Sequence, residues 1–238
     1  MVRSPHAEKS LLLTEAGIWL RDVRQAAGVN SNTWVGTDIE DSYFPTETPA
    51  DTSYYHQSMT EPWPQLWYGT FDFVHSRMAL PGVGHNPVDE VVKNLVGLVK
   101  PGGWIQMVEM EWQTWEGGPV LGEFQAALGH LFGIITNGQG VDMRERLATQ
   151  LEEAGLKKVQ YRIVQVPIGA KAKDEVRELS LQSMFATASF ATATLQKVAP
   201  DMVDHKLTTM PTRLREELQN AGGSYNVFAL WAQKPALS

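Results

Sequence analysis

The chain has no cysteine among its 238 residues, which excludes disulfides, thiolate nucleophiles and Cys-ligated zinc or iron–sulfur sites. It also lacks any surplus of positive charge. Twenty Lys and Arg stand against 27 Asp and Glu, for a formal charge of −7 and a pI near 5.4. With no Lys/Arg cluster to offset that balance, a nucleic-acid partner is not expected. No segment approaches the roughly 20 apolar residues that span a bilayer, and residues 1–10 lack the apolar core of a secretory signal. A soluble, cytoplasmic protein without a membrane partner is the expectation. His6, His85, His130 and His205 show no H-E-x-x-H spacing, so no metal site is expected. Neither G-x-S-x-G nor G-x-x-x-x-G-K-[ST] occurs, which sets aside the usual hydrolase and P-loop readings. One further shortage matters most. The turn between the first strand and first helix, Leu13-Thr14-Glu15-Ala16-Gly17, holds a single glycine where a nucleotide-type loop uses three.

What is present reads as an α/β protein. A length of 238 residues with 43% hydrophobic content suits one domain over 1–238, with no repeat, low-complexity tract or linker to divide it. Residues 11–13 form a short apolar strand, 17–27 a helix with its stripe on Trp19, Val23, Ala26 and Ala27, and 33–39 a second strand ending on Asp38. Weak strand character follows at 53–57, then a fourth strand at 71–75. Asn86 reads as the cap of a helix with Pro87 at its first position and Val88, Val91, Val92, Leu95 and Val99 inside. The turn at 100–103 leads into a strand at 104–110 that is apolar on both faces, as central parallel strands are. Further on come a helix at 121–135, a capping box of Asp142 and Glu145 opening a helix at 143–154, and a strand at 159–166. Helical material at 171–198, a helix starting at Pro211 and a last strand at 225–233 complete the order. Five strands alternating with helices, then a late pair, predict an open sheet whose last strand runs antiparallel, with ligands at the C-terminal strand ends.

Gly17-Ile18-Trp19, Val35-Gly36-Thr37-Asp38, the run from Phe71 through Arg77 and Lys100-Pro101-Gly102-Gly103-Trp104-Ile105 resemble, in order and spacing, class I S-adenosylmethionine (SAM) methyltransferases. More narrowly they resemble the LaeA-like group of fungal secondary metabolism, which includes a methyltransferase-like member in bis-indolylquinone (terrequinone-type) pathways. The resemblance covers residues 11–112 well and the remainder loosely. It implies a three-layer sandwich around a seven-stranded, mostly parallel Rossmann-like sheet, with a tail at 1–10, a cofactor-type half at 11–112 and a substrate-side half at 113–238. It implies SAM as cofactor, with Gly17 in the cofactor loop and Asp38 on the ribose hydroxyls. Aligned on Gly17, the family's loop of D-hydrophobic-G-x-G-x-G-I-W meets Leu11, Leu13 and Glu15 at the acid and two glycines. The family's acid near the adenine falls on Ser58, beside Met59. Side chains at Leu13 and Glu15 would crowd the backbone that must approach SAM, and a Glu15 carboxylate would repel the methionine carboxylate. Loss of SAM affinity is the expectation. Only ten residues precede the first strand, where the family carries a helical extension, so a more open pocket or one closed by a partner chain is expected.

The candidate catalytic residues are His75 and Arg77 at the end of the fourth strand and Glu109 at the end of the fifth, His75 because imidazole titrates near neutrality. Trp63, Trp67, Tyr68, Trp112 and Trp115 suggest a flat aromatic cleft for a small aromatic metabolite, such as an indolic one. Three functions follow from these readings. One is a methyltransferase-like protein with impaired SAM binding that steers a pathway intermediate, alongside other enzymes of that pathway. The second is an active SAM-dependent small-molecule methyltransferase. The third is a non-catalytic partner or regulator.

Overall fold

The computed structural model describes residues 9–13, 18–27 and 32–237. Strands β1 (Lys9–Leu13), β2 (Thr33–Asp38), β3 (Thr52–His56), β4 (Phe71–Arg77) and β5 (Val99–Glu116) come first, with α1 (Ile18–Ala27) after β1 and α2 (Val88–Leu98) before β5. Then follow α3 (Pro119–Ile135), α4 (Met143–Glu153), β6 (Lys157–Ile168), α5 (Asp174–Val198), α6 (His205–Asn220) and β7 (Gly223–Gln233). The strands make one seven-stranded sheet in the order β3-β2-β1-β4-β5-β7-β6. This is the mostly parallel, Rossmann-like methyltransferase sheet that the resemblance implies. β7 is the antiparallel member: Gln165 reaches Ser224 while Lys158 reaches Gln233, so sequence numbers rise on β6 as they fall on β7. No helix among the described residues is long and apolar enough to cross a membrane.

By packing, the chain resolves into two compact units, Met1–Glu109 with Arg144–Arg162 and Ala229–Ser238, and Met110–Met143 with Ile163–Phe228. The first is built on the parallel strands, with Phe71, Val74, Leu95, Ile105 and Met107 almost fully buried. Leu20 of α1 packs with Trp34 of β2, and Trp19, Val23 and Tyr54 close around them. A Cβ on Gly36 would lie 2.5 Å from the ring of Tyr54, so this strand position has room for glycine alone while that ring is in place. The second unit has a helical core in which Phe124, Leu128 and Leu131 of α3 meet Leu181, Met184 and Leu195 of α5 and Leu214 and Leu218 of α6.

Several local expectations are corrected. Asn86 does not cap α2: Pro87 holds that position, and the Asn86 amide donates to the carbonyl of Val83 at 2.8 Å. Val99 belongs to β5, not to the face of α2, and β5 runs through the glycine turn because pairing with β4 resumes across an irregularity at Phe71 and Phe73. Asp142 has φ +51, in the left-handed region rather than the extended geometry of a capping box. Residues 174–198 form one unbroken helix of 25 residues. The last helix opens at His205, not Pro211, with Asp204 accepting the Leu207 N–H at 2.9 Å as its cap. Pro211 then sits inside the helix, and having no N–H it leaves the Leu207 carbonyl without its helical donor. The Thr192 hydroxyl of α5 donates to that carbonyl at 3.3 Å and repairs the gap.

Candidate functional site

The order of the sheet reverses between β1 and β4, and crevices at such a reversal hold ligands in open parallel sheets. Register pairs Leu13 with Thr37 on one side and with Ser76 on the other. Asp38 and Arg77 therefore close the two strands that flank β1, with Cα atoms roughly 10 Å apart at ordinary strand spacing. The Asp38 carboxylate accepts the Glu40 N–H at 3.0 Å and its carbonyl accepts the Gln57 N–H at 2.9 Å, which ties it to the exit of β3. At that exit the Ser58 hydroxyl lies 2.7 Å from the Thr60 hydroxyl and accepts the Thr60 N–H at 3.2 Å, while Met59 is buried. Asp38, Ser58 and Met59 thus gather at the ends of β2 and β3. Gly17 lies outside the described residues, as does the turn around it.

His75 is placed otherwise. It is 1% exposed, in the middle of the sheet, with the Trp19 ring stacked on it at 3.9 Å and Phe73 beyond. Its Nδ1 lies 3.0 Å from Gln106 Oε1, and its Nε2 has no partner. Burial, seconded by the charge of Arg77 and opposed by the Gln106 bond, holds its pKa down at about 4. A covered, neutral imidazole of this kind suits packing better than proton exchange with a ligand. Sequence reading did not single out Gln106 or pair Trp19 with His75. The adjacency of the two central strands is the signal for the first, and the helix stripe beginning at Trp19 for the second.

Glu109 is 0% exposed. Its Oε1 accepts the N–H groups of Ala79 and Leu80, both at 3.1 Å, and holds the turn that leaves β4. Its Oε2 has no partner. Burial drives its pKa up to about 7 against those two hydrogen bonds. Ser76, also buried and with an unpartnered hydroxyl, shares the face of the sheet on which Glu109 lies, because it pairs with Met107 two residues before it.

Of the tryptophans of the expected cleft, each makes its ring contacts within its own unit. Trp67 touches Tyr55, Trp63 and Phe71 in the first unit. Trp112 and Trp115 stack at 6.2 Å in the second and pack on Phe132, Phe124 and Tyr225. Tyr68 is 37% exposed. The second unit also carries a cavity of about 300 Å³ whose lining includes Glu123, His130, Leu195, Asp204 and Met210. Its acids are committed, Glu123 to Arg213 at 2.5 Å and Asp204 to the start of α6. Among the described residues no group of three or more His, Cys, Asp or Glu side chains is arranged for a metal ion.

No protein-family model matches the chain. Over 222 residues it is 34% identical to methyltransferase psoC of Aspergillus fumigatus, covering 93% of this chain and 80% of that protein. To N-methyltransferase gliN of the same organism it is 31% identical over 231 residues, covering 92% and 79%. Among solved structures it resembles phosphoethanolamine N-methyltransferase 2 of Haemonchus contortus, in complex with S-adenosyl-L-methionine, with a TM-score of 0.53 and 15% identity. That likeness covers 96% of this chain and 49% of the other, so the chain spans about half of that enzyme.

Proposed function

Because the chain belongs to the methyltransferase family of fungal secondary metabolism, with the class I SAM-dependent fold, we propose that it is a methyltransferase-like protein with a weakened SAM site, which binds and steers a small aromatic pathway intermediate. The observation that carries this reading is the exit of β3. There a serine stands where the resemblance implies an acid near the adenine, and its hydroxyl is engaged with Thr60. At the ribose position the residues do fit SAM, since Asp38 stands at the end of β2. The turn sequence fits less well, because Leu13 and Glu15 replace the glycines that admit the cofactor's methionine end. No methyl transfer is therefore built into the reading. Arg77 orients an oxygen-bearing intermediate, such as an indolic quinone, and Glu109 fixes the Ala79–Leu80 backbone beside it. His75 supports the seam between β4 and β5 from within.

A second reading, an active methyltransferase, draws support from the 34% identity to psoC across 93% of this chain and from Asp38. Isothermal titration with SAM separates the two. Under the first reading the chain shows no heat of binding at micromolar SAM and no thermal stabilisation by mass action. Ser58→Asp then tightens SAM binding by about tenfold through a charge-assisted bond. Micromolar binding to the unaltered chain, lost in Asp38→Ala, would instead establish the second reading, and labelled SAM would then identify the acceptor.

A further inference from the structure

The helix α5 is apolar on two opposite sides, and only one of them is covered. Leu181, Met184, Ala188, Ala191 and Leu195 face the core of the second unit. From 179 to 196 the helix carries no charged residue on any side. Along the outward side Leu179 is 65% exposed, Phe190 62% and Val176 47%, and Ser183, Ala186 and Ala193 are exposed with them. A helix face that stays in water is ordinarily polar, whereas one that is hydrophobic all round is ordinarily buried.

We propose that this outward face is a self-association surface, on which a second copy of the chain lays its own α5 antiparallel to form a two-fold symmetric dimer. Residues 176, 179, 183, 186, 190 and 193 follow one another at steps of 3, 4, 3, 4 and 3, the spacing of a helix–helix seam. That series reads identically in reverse about a point between Met184 and Phe185. A two-fold axis there sets Leu179 against Phe190 of the second copy, Val176 against Ala193, and Ser183 against Ala186. Large side chains meet on the flanks, and small ones lie at the centre, where two crossing helices come closest. The same patch is self-complementary on both copies, as a two-fold interface requires.

The helix dipole selects the direction. Glu175 borders the seam near the N-terminus of α5 and Lys197 lies on it near the C-terminus, both exposed, while Lys173 borders the opposite flank. Asp174 is paired with Arg177 at 2.6 Å. About that axis Lys197 of each copy lies opposite position 172 of the other, between Lys173 and Glu175, so charge is balanced there and the direction is set by the helix dipoles, which antiparallel packing opposes favourably. The uncharged seam lacks the basic row with which interfacial helices hold anionic lipid. One helix against one helix buries on the order of 1,000 Å², the small end of specific interfaces, so association is weak and concentration-dependent.

Sedimentation analysis of the full chain tests this. A monomer–dimer equilibrium is expected, and Phe190→Asp should raise its dissociation constant at least about tenfold while leaving the circular dichroism spectrum unchanged. The cysteine-free background permits a second, independent measurement. On oxidation an equimolar mixture of Ser183→Cys and Ala186→Cys proteins should form a covalent dimer faster than either alone. A chain that stays monomeric at its highest soluble concentration overturns the proposal. So does a dimer indifferent to Phe190→Asp and to the cysteine pair, or a monomer that floats with phosphatidylserine vesicles.

Discussion

In the second unit Glu217 of α6 gives one oxygen to each of two backbone N–H groups at the start of α3, Oε1 to Leu121 at 2.8 Å and Oε2 to Val120 at 3.0 Å. In the first unit Glu109 gives the single oxygen Oε1 to both Ala79 and Leu80 and keeps Oε2 unpartnered in a fully buried place. Both carboxylates do for a distant backbone what a local cap does for an ordinary helix. α3 begins after Gly118, which has no side chain to cap with, and a Cβ there would collide with the Glu217 carboxylate. The difference lies in what each oxygen is asked to do. Glu217 engages both of its oxygens in hydrogen bonds and is only half-buried, whereas Glu109 is held in a place where its charge is costly.

The largest expected effect is at the first unit's carboxylate. Glu109→Leu leaves two buried N–H groups without an acceptor and should cost about 3 kcal/mol in urea unfolding. A loss below about 1 kcal/mol would mean that Oε1 is not the anchor of the turn.

Nearly as large is a pair of opposed pH dependences. Glu109 is raised from 4.5 to about 7, so the folded protein holds that proton more tightly, and stability is lost as pH climbs from 4.5 to 7. His75 is lowered from 6.5 to about 4, so the unfolded chain takes its proton first, and stability is lost as pH falls from 6.5 to 4. Between 4.5 and 6.5 the two slopes oppose each other in the unaltered protein. Relative to it, Glu109→Gln should gain about 2–3 kcal/mol across that window as pH rises, and His75→Leu should lose about as much. Denaturation midpoints measured at several pH values check both, and parallel profiles for all three proteins would refute the coupling.

A milder test separates the two anchors directly. Glutamine keeps one acceptor oxygen, which suffices at 109 but leaves one N–H facing an amide at 217. At pH 5, where Glu109 is largely protonated in any case, Glu217→Gln should cost about 1 kcal/mol and Glu109→Gln close to nothing. Equal costs would erase the distinction. Smallest is Thr192→Val, which removes the donor to the Leu207 carbonyl and should cost about 0.5–1 kcal/mol, read as a shift in thermal midpoint.

The fold was legible because its signals are periodic and local. Val88, Val91, Val92 and Leu95 announce the buried stripe of α2, and the apolar run of β5 announces a central strand. The reading failed where a distant partner outweighs local chemistry. Pro211 is a fair helix start in isolation, and Thr192 on another helix supplies the hydrogen bond that an interior proline leaves unmade. Asn86 has the composition of a cap but turns back to Val83. At the site, Asp38, Ser58 and Met59 lie together as their positions after β2 and β3 imply. The setting of His75 was not legible, because whether a strand-end histidine opens to a ligand depends on a ring from α1 lying over it.

Tyr54 and Gly36 have a meaning for sequence divergence as well as for packing. With the ring 2.5 Å from where a Cβ at 36 would be, what position 36 can hold depends on what stands at 54. A lineage that acquires alanine or serine at 36 must displace or give up the aromatic ring at 54, and a lineage that keeps the ring where it is keeps glycine. Among chains that split from this one, a change at 36 should therefore be accompanied by a change at 54, whereas a change at 54 alone is free to occur.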